Sequence, residues 1–136
     1  MNLNPYLNFN GNCAEALKFY EKALPAKILI SMPYGGSPMA KDMPPEIQDK
    51  VMHSRFEVGG QVIMASDAMC NYEKPAGFNI TINVEEPAEA DRIFAALSEN
   101  GTVRMPMEET FWAKRFGMLT DQFGIPWMIN CEKEQF

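Results

Sequence analysis

Two stretches of the chain repeat one pattern, and the second begins near the middle. Residues 4–9, NPYLNF, alternate apolar and polar side chains, and CAEALKFYEKAL at 13–24 follows with a helical period. Residues 78–84, FNITINV, alternate again, and PAEADRIFAALSEN at 87–100 supplies a second helical period. Strand-like runs follow each helix: Lys27–Met32, Lys50–Val58 and Gln61–Ser66 in the first half, Thr102–Met107, Ala113–Thr120 and Pro126–Cys131 in the second. A strand–helix–strands unit used twice predicts one small α+β domain of two βαβββ modules around a shared cleft. Module one covers residues 1–68, a linker 69–76, and module two 77–132.

Local signals support these elements. Asn12 stands where an N-cap is wanted, and the helix after it is expected to bury Ala16, Leu17, Tyr20 and Leu24. Pro25 stops it. Residues 33–46, PYGGSPMAKDMPPE, hold four prolines and two glycines and read as a long, mobile loop. Gly59-Gly60 between two strands reads as a tight hairpin. Asn100-Gly101 ends the second helix. Asp121–Gly124 is a turn whose aspartate caps backbone donors. The tail EKEQF is expected to be loose.

Composition narrows the classes. The net charge is −6 and the basic residues are scattered, which argues against nucleic acid as a partner. No apolar run approaches the roughly 18 residues that span a bilayer, and the first residues show no secretory pattern. Cys13, Cys70 and Cys131 are odd in number and lack CxxC spacing, which argues against a disulfide framework or structural zinc. A reducing cytoplasm is the expected location. Eleven methionines suit an adaptable core or a permissive pocket.

The first strands of both halves show apolar faces (Pro5, Leu7, Phe9; Phe78, Ile80, Ile82) expected to meet the helices. Their other faces are amide-rich: Asn4, Tyr6, Asn8 and Asn79, Thr81, Asn83. Such a face either meets water or lines a polar pocket. His53, the sole histidine, shares a face with Val51, Arg55 and Glu57, and is either a general base or ligand anchor, or a hydrogen-bonded structural residue. Glu57 or Asp67 would assist it as a base. Trp112 with Lys114 or Arg115 could hold an anion and stack on a ligand, or these charges could protect an edge strand. Cys13 at a helix N-terminus could be mildly acidified, although packed, inert thiols are the plainer reading for all three cysteines. Glu108 and Glu109 are a weak carboxylate pair.

Three segments carry a family resemblance: NPYLNFNGNCAEALKFYEKAL, VMHSRFEVGGQVIMASDA and FWAKRFGMLTDQFGIPW. In this order they resemble the PhnB-like branch of the vicinal oxygen chelate superfamily, the glyoxalase, bleomycin-resistance and extradiol-dioxygenase group. Relatives often carry proline where Gln122 stands and histidine where Ile125 or Pro126 stands. The resemblance implies a glyoxalase-like fold, a homodimer and a cleft on the concave sheet face. It also implies that metal enzymes of the group place four His or Glu ligands on the first and last strand of each module. The matching positions here are Asn4, Met64, Asn79 and Met128, and neutral amides and thioethers bind a hard divalent cation poorly. The expectation is therefore a small-molecule ligand held by Asn4, Tyr6, Asn8, Met64, Asn79, Thr81, Trp112 and Met128, with no metal and no cofactor. The alternative is an enzyme in which His53 moves a proton.

Overall fold

The computed structural model describes residues 1–38 and 40–134. Met39, within the proline-rich segment, and Gln135 and Phe136, in the tail expected to be loose, lie outside the described residues. The chain divides into two compact units, one ending at Glu73 and one starting at Lys74. The first unit runs β1 (Tyr6–Phe9), α1 (Cys13–Ala23), β2 (Lys27–Pro33), α2 (Pro45–Gln48), β3 (Val51–Val58) and β4 (Gln61–Asp67). Its sheet has the order β1-β4-β3-β2, with β1 parallel to β4 and the other pairs antiparallel. The second unit runs β5 (Ile80–Asn83), α3 (Pro87–Ser98), β6 (Thr102–Glu108), β7 (Ala113–Thr120) and β8 (Pro126–Glu132). Its order is β5-β8-β7-β6, again with only the first strand parallel to its neighbour. The repeat read from the sequence is thus a repeat of topology, two βαβββ modules.

Helices α1 and α3 each cover one face of their own sheet. Helix α1 buries Ala16, Leu17 and Tyr20 on one stripe, and the Tyr20 ring stacks on Phe56 of β3 at 5.6 Å. Both rings are fully buried, and burial of a side chain of this size contributes about 1.5–3 kcal/mol. Helix α3 buries Ala90, Ile93 and Leu97. Gly117 of β7 makes room for this packing, because a Cβ there would meet Phe94 Cε2 at 2.7 Å and Met107 Sδ at 2.6 Å. The Gly59-Gly60 hairpin forms as expected. Val58 pairs with Gln61, and both glycines have positive φ (+55° and +82°), as a two-residue turn of this twist requires.

Several local expectations are corrected. Asn12 occupies the N-cap position of α1 but makes no side-chain cap. Asp67, at the end of β4, does that work: its Oδ1 accepts from Cys13 N and its Oδ2 from Val51 N, both at 2.9 Å. One buried carboxylate thereby ties the start of α1 to the start of β3. The segment 33–46 is not a plain loop. It contains 3-10 turns at Tyr34–Gly36 and Ala40–Asp42 and the start of α2. Tyr34 is buried and donates its hydroxyl to Asp67 O at 2.9 Å. Burial, then the nearby Asp67 and Tyr6, push the Tyr34 hydroxyl pKa upward. Pro5 and Phe78 are exposed rather than packed on a helix, because each precedes the first paired residue of its strand. Asp121 behaves as expected, accepting from Phe123 N and Ile125 N, and it also accepts from the buried Trp127 Nε1 at 2.8 Å.

Both sheets carry a bulge at the same place. In β2, Ile28 pairs with Phe56 and Ile30 with Arg55, so Leu29 is the extra residue. In β6, Val103 pairs with Leu119 and Met105 with Met118, so Arg104 is the extra residue. Among the described residues no helix is long and apolar enough to cross a membrane.

Candidate functional site

The face of each sheet turned away from its helix is open, and the strand register places its residues in rows. On the first sheet Tyr6 lies beside Met64, Met64 beside Arg55, and Arg55 beside Ile30, one residue from each strand. His53, two residues from Arg55 on β3, lies beside Met32. The Tyr6 hydroxyl is 3.2 Å from His53 Nδ1, and the two rings are 5.8 Å apart. Either the hydroxyl donates to Nδ1 and Nε2 carries the proton, or Nδ1–H donates and Nε2 is a lone-pair acceptor. The ring has no other hydrogen bond among the described residues, so Nε2 is left for a ligand in both tautomers. Tyr6, Ile30 and Met32 are exposed apolar or aromatic groups around this pair. Together they offer apolar contact beside a polar handle of adjustable sense.

Two expected assistants of His53 are absent from its surroundings. Asp67 is buried under the sheet, spent on Cys13 N and Val51 N. Glu57 shares the open face but sits opposite Lys27, four residues along β3 from His53. The partner of His53 is Tyr6, which alternation placed on the amide face without showing the contact. Of the remaining residues expected here, Asn4 donates to Val62 O at 2.9 Å and holds the chain ahead of β1 against β4. Asn8 is exposed on the face of Tyr6. Cys13 is the reverse of an activated thiol: burial, then Asp67, push it up to about 12, against a lesser opposing bond from Ser54. Cys131 is buried as expected, whereas Cys70 is exposed.

The second sheet has the matching row, with different chemistry. Thr81 lies beside Met128, Met128 beside Met118, and Met118 beside Met105. Thr81 Oγ1 is 3.7 Å from Met128 Sδ. By the same register Phe116 stands where His53 stands in the first unit. Trp112 packs edge-on against Phe116 at 5.2 Å and against Phe111 at 4.9 Å. The expected cluster of Trp112 with a cation does not form as drawn. Arg115 turns to α3 and pairs with Asp91 at 2.8 Å, and Lys114 is the unpaired extra residue between Ala113 and Arg115. Strand β7 lies inside the sheet, so its charges do not protect an edge.

The cation on this sheet is Arg104, which sequence reasoning missed. Its Nη2 donates to Asn79 Oδ1 at 2.6 Å and to Leu119 O at 2.9 Å, with Trp127 O at 3.4 Å. Alternation from Thr102 gives no hint of this reach, because the bulge re-aims the side chain. Asn79, expected to meet a ligand, instead holds this guanidinium.

Two βαβββ modules define the glyoxalase-like class. A glyoxylase/bleomycin resistance protein/dioxygenase domain from Frankia sp. EAN1pec shares the fold, with a TM-score of 0.70 at 12% identity over 100% of this chain and 94% of that one. Within the class, a family model described as 3-demethylubiquinone-9 3-methyltransferase matches residues 1–130, and the chain belongs to that PhnB-like family. Protein YjdN of Escherichia coli K12 is 38% identical over 99% of this chain and 98% of its own length. The crystal structure of PA1353 from Pseudomonas aeruginosa has a TM-score of 0.89 and 46% identity, covering 98% of this chain and 99% of that one. A putative 3-demethylubiquinone-9 3-methyltransferase, PhnB protein, from Bacillus cereus has a TM-score of 0.81 and 26% identity, covering 96% and 99%.

Proposed function

We propose that this chain binds a small organic molecule against the open face of its first sheet. The observation that carries this reading is the Tyr6–His53 hydrogen bond at 3.2 Å, set among Met64, Met32 and Ile30. The hydrogen bond orients the ring, and the thioethers adapt to the ligand's shape. Asn4, Tyr6, Asn8 and Met64 belong to this face. Asn79, Thr81, Trp112 and Met128 belong to a second, more apolar face in the other unit.

The donor set does not fit a hard divalent metal. One imidazole, a phenol, thioethers and amides leave no carboxylate beside His53, since Glu57 stands four residues along β3 opposite Lys27, and Asn79 Oδ1 is already held by Arg104. Among the described residues no three His, Cys, Asp or Glu gather. A second reading is favoured by the same hydrogen bond. With Nδ1 held by Tyr6, Nε2 could take or give a proton on a bound substrate, as a lyase, isomerase or transferase requires. A homodimer is proposed from the family resemblance and a cytoplasmic location from the cysteine pattern, and sedimentation tests the first.

The test is a thermal-shift screen of small organic compounds and of divalent cations on the intact chain. The expected result is a saturable shift with an organic ligand, weakened in His53→Ala while the unliganded midpoint stays within a degree or two, since His53 is half-exposed. An unchanged shift in His53→Ala would remove this face from the site. A saturable shift with a cation would return metal-assisted chemistry.

A further inference from the structure

The chain has four arginines, and they divide by what they touch. Arg92 pairs with Glu89 and Arg115 with Asp91. Arg55 and Arg104 have no carboxylate within salt-bridge distance among the described residues, although the chain is acidic overall. Arg104 is the more constrained of the two. It is exposed, yet its Nη2 is held by oxygens from Asn79, Leu119 and Trp127, across the neighbouring strands β7 and β8 to the residue before β5. A guanidinium has five N–H donors, and Nη2 carries two of them. The three on Nε and Nη1 have no partner among the described residues. A planar fork already fixed in place loses little freedom when it binds an anion.

What lies beside the fork sets the rest of the ligand. Leu119 and Trp127 are the chain neighbours of Met118 and Met128, so the guanidinium runs alongside the row Thr81, Met128, Met118, Met105. Met105 is 38% exposed at the edge of that row, and the thioethers form a soft apolar strip. We infer that the open face of the second sheet is a binding site for an organic anion. Its carboxylate or phosphoryl group bonds to Nε and Nη1 of Arg104, and its apolar body lies on Met118 and Met128. This site rests on no part of the His53 reading, and either can stand without the other.

The experiment is methionine methyl NMR on the full chain, titrated with phenylacetate, with phenyl phosphate and with the neutral 2-phenylethanol. The Met118 and Met128 methyl signals, assigned with Met118→Leu and Met128→Leu, are expected to move saturably with both anions and far more weakly with the alcohol. Arg104→Gln is expected to weaken anion binding by about tenfold or more, as loss of a charge-assisted bond does, and to leave the alcohol unchanged. Arg104→Lys keeps the charge without the fork and should fall between. If Arg104→Gln loses its methyl dispersion, Arg104→Lys and the salt dependence of the unaltered chain decide. Equal affinity for anion and alcohol, anion affinity unchanged in Arg104→Gln, or methyl signals unmoved by every probe would each overturn the proposal. Comparing phenylacetate with phenyl phosphate tells a carboxylate site from a phosphoryl site. His53 ring signals, followed in the same titrations, keep the two faces apart.

Discussion

His53 and Cys13 show how little a residue's type says before its neighbours are known. His53 gains its character from Tyr6, a residue 47 positions away that meets it only because β1 pairs with β4 and β4 with β3. Cys13 stands at a helix start, where the dipole would favour a thiolate, but burial and Asp67 win and raise its pKa from 9.0 to about 12. Between those values the unfolded chain sheds the thiol proton and the folded chain keeps it. Stability therefore falls as pH rises through this window. Cys13→Ala should remove that part of the slope, which urea midpoints compared at pH 8 and pH 10 will show. At pH 8 a thiol reagent should modify the exposed Cys70 readily and Cys13 only on unfolding. The expectation of packed thiols holds for Cys13 and Cys131 and fails for the exposed Cys70. The Asp67 cap was not, because it arrives from 54 residues downstream while Asn12 occupies the local position.

At the scale of elements, alternation and helical period carried the reading well where strands are regular. The boundaries of β7 at Ala113–Thr120 and the α1 stripe of Ala16, Leu17 and Tyr20 follow directly from pattern. Pattern failed at the bulges. Leu29 and Arg104 each add one residue to an edge strand, and the residues after them, up to the next register shift of each pair, change face relative to simple alternation. Arg104 was invisible as a site residue for that reason. Pattern also failed at 33–46, where prolines and glycines mark short helical turns fastened by the buried Tyr34. The packing of α3 on β7 offers a direct check. Gly117→Ala places a methyl group against Phe94 and Met107, and overpacking of this kind costs about 1–3 kcal/mol. Urea denaturation should show a lower midpoint with an unchanged slope. An unaltered midpoint would mean that α3 yields easily and that the glycine is not needed for its docking.

The whole molecule is one topology written twice with different chemistry on the open faces. Tyr6, Met64, Arg55 and Ile30 in the first sheet correspond by register to Thr81, Met128, Met118 and Met105 in the second. His53 corresponds to Phe116. The repeat was legible in the sequence because a strand–helix pair recurs, and it led to the topology, while three separate segments carried the family resemblance. The ligand was not legible, since a shared fold hosts many chemistries and only side chains on the open faces distinguish them. With one histidine in the chain, its ring needs no assignment strategy. The most direct measurement is therefore the long-range 1H–15N spectrum of His53, recorded while the Arg104→Gln chain, which lacks the anion anchor of the second sheet, is titrated with any compound that stabilises it against heat. The ring nitrogens should shift saturably with the affinity of the thermal effect, and Tyr6→Phe should alter the tautomer balance of the unliganded ring. A compound that stabilises the chain while the His53 nitrogens stay still would contradict a ligand site on the first sheet.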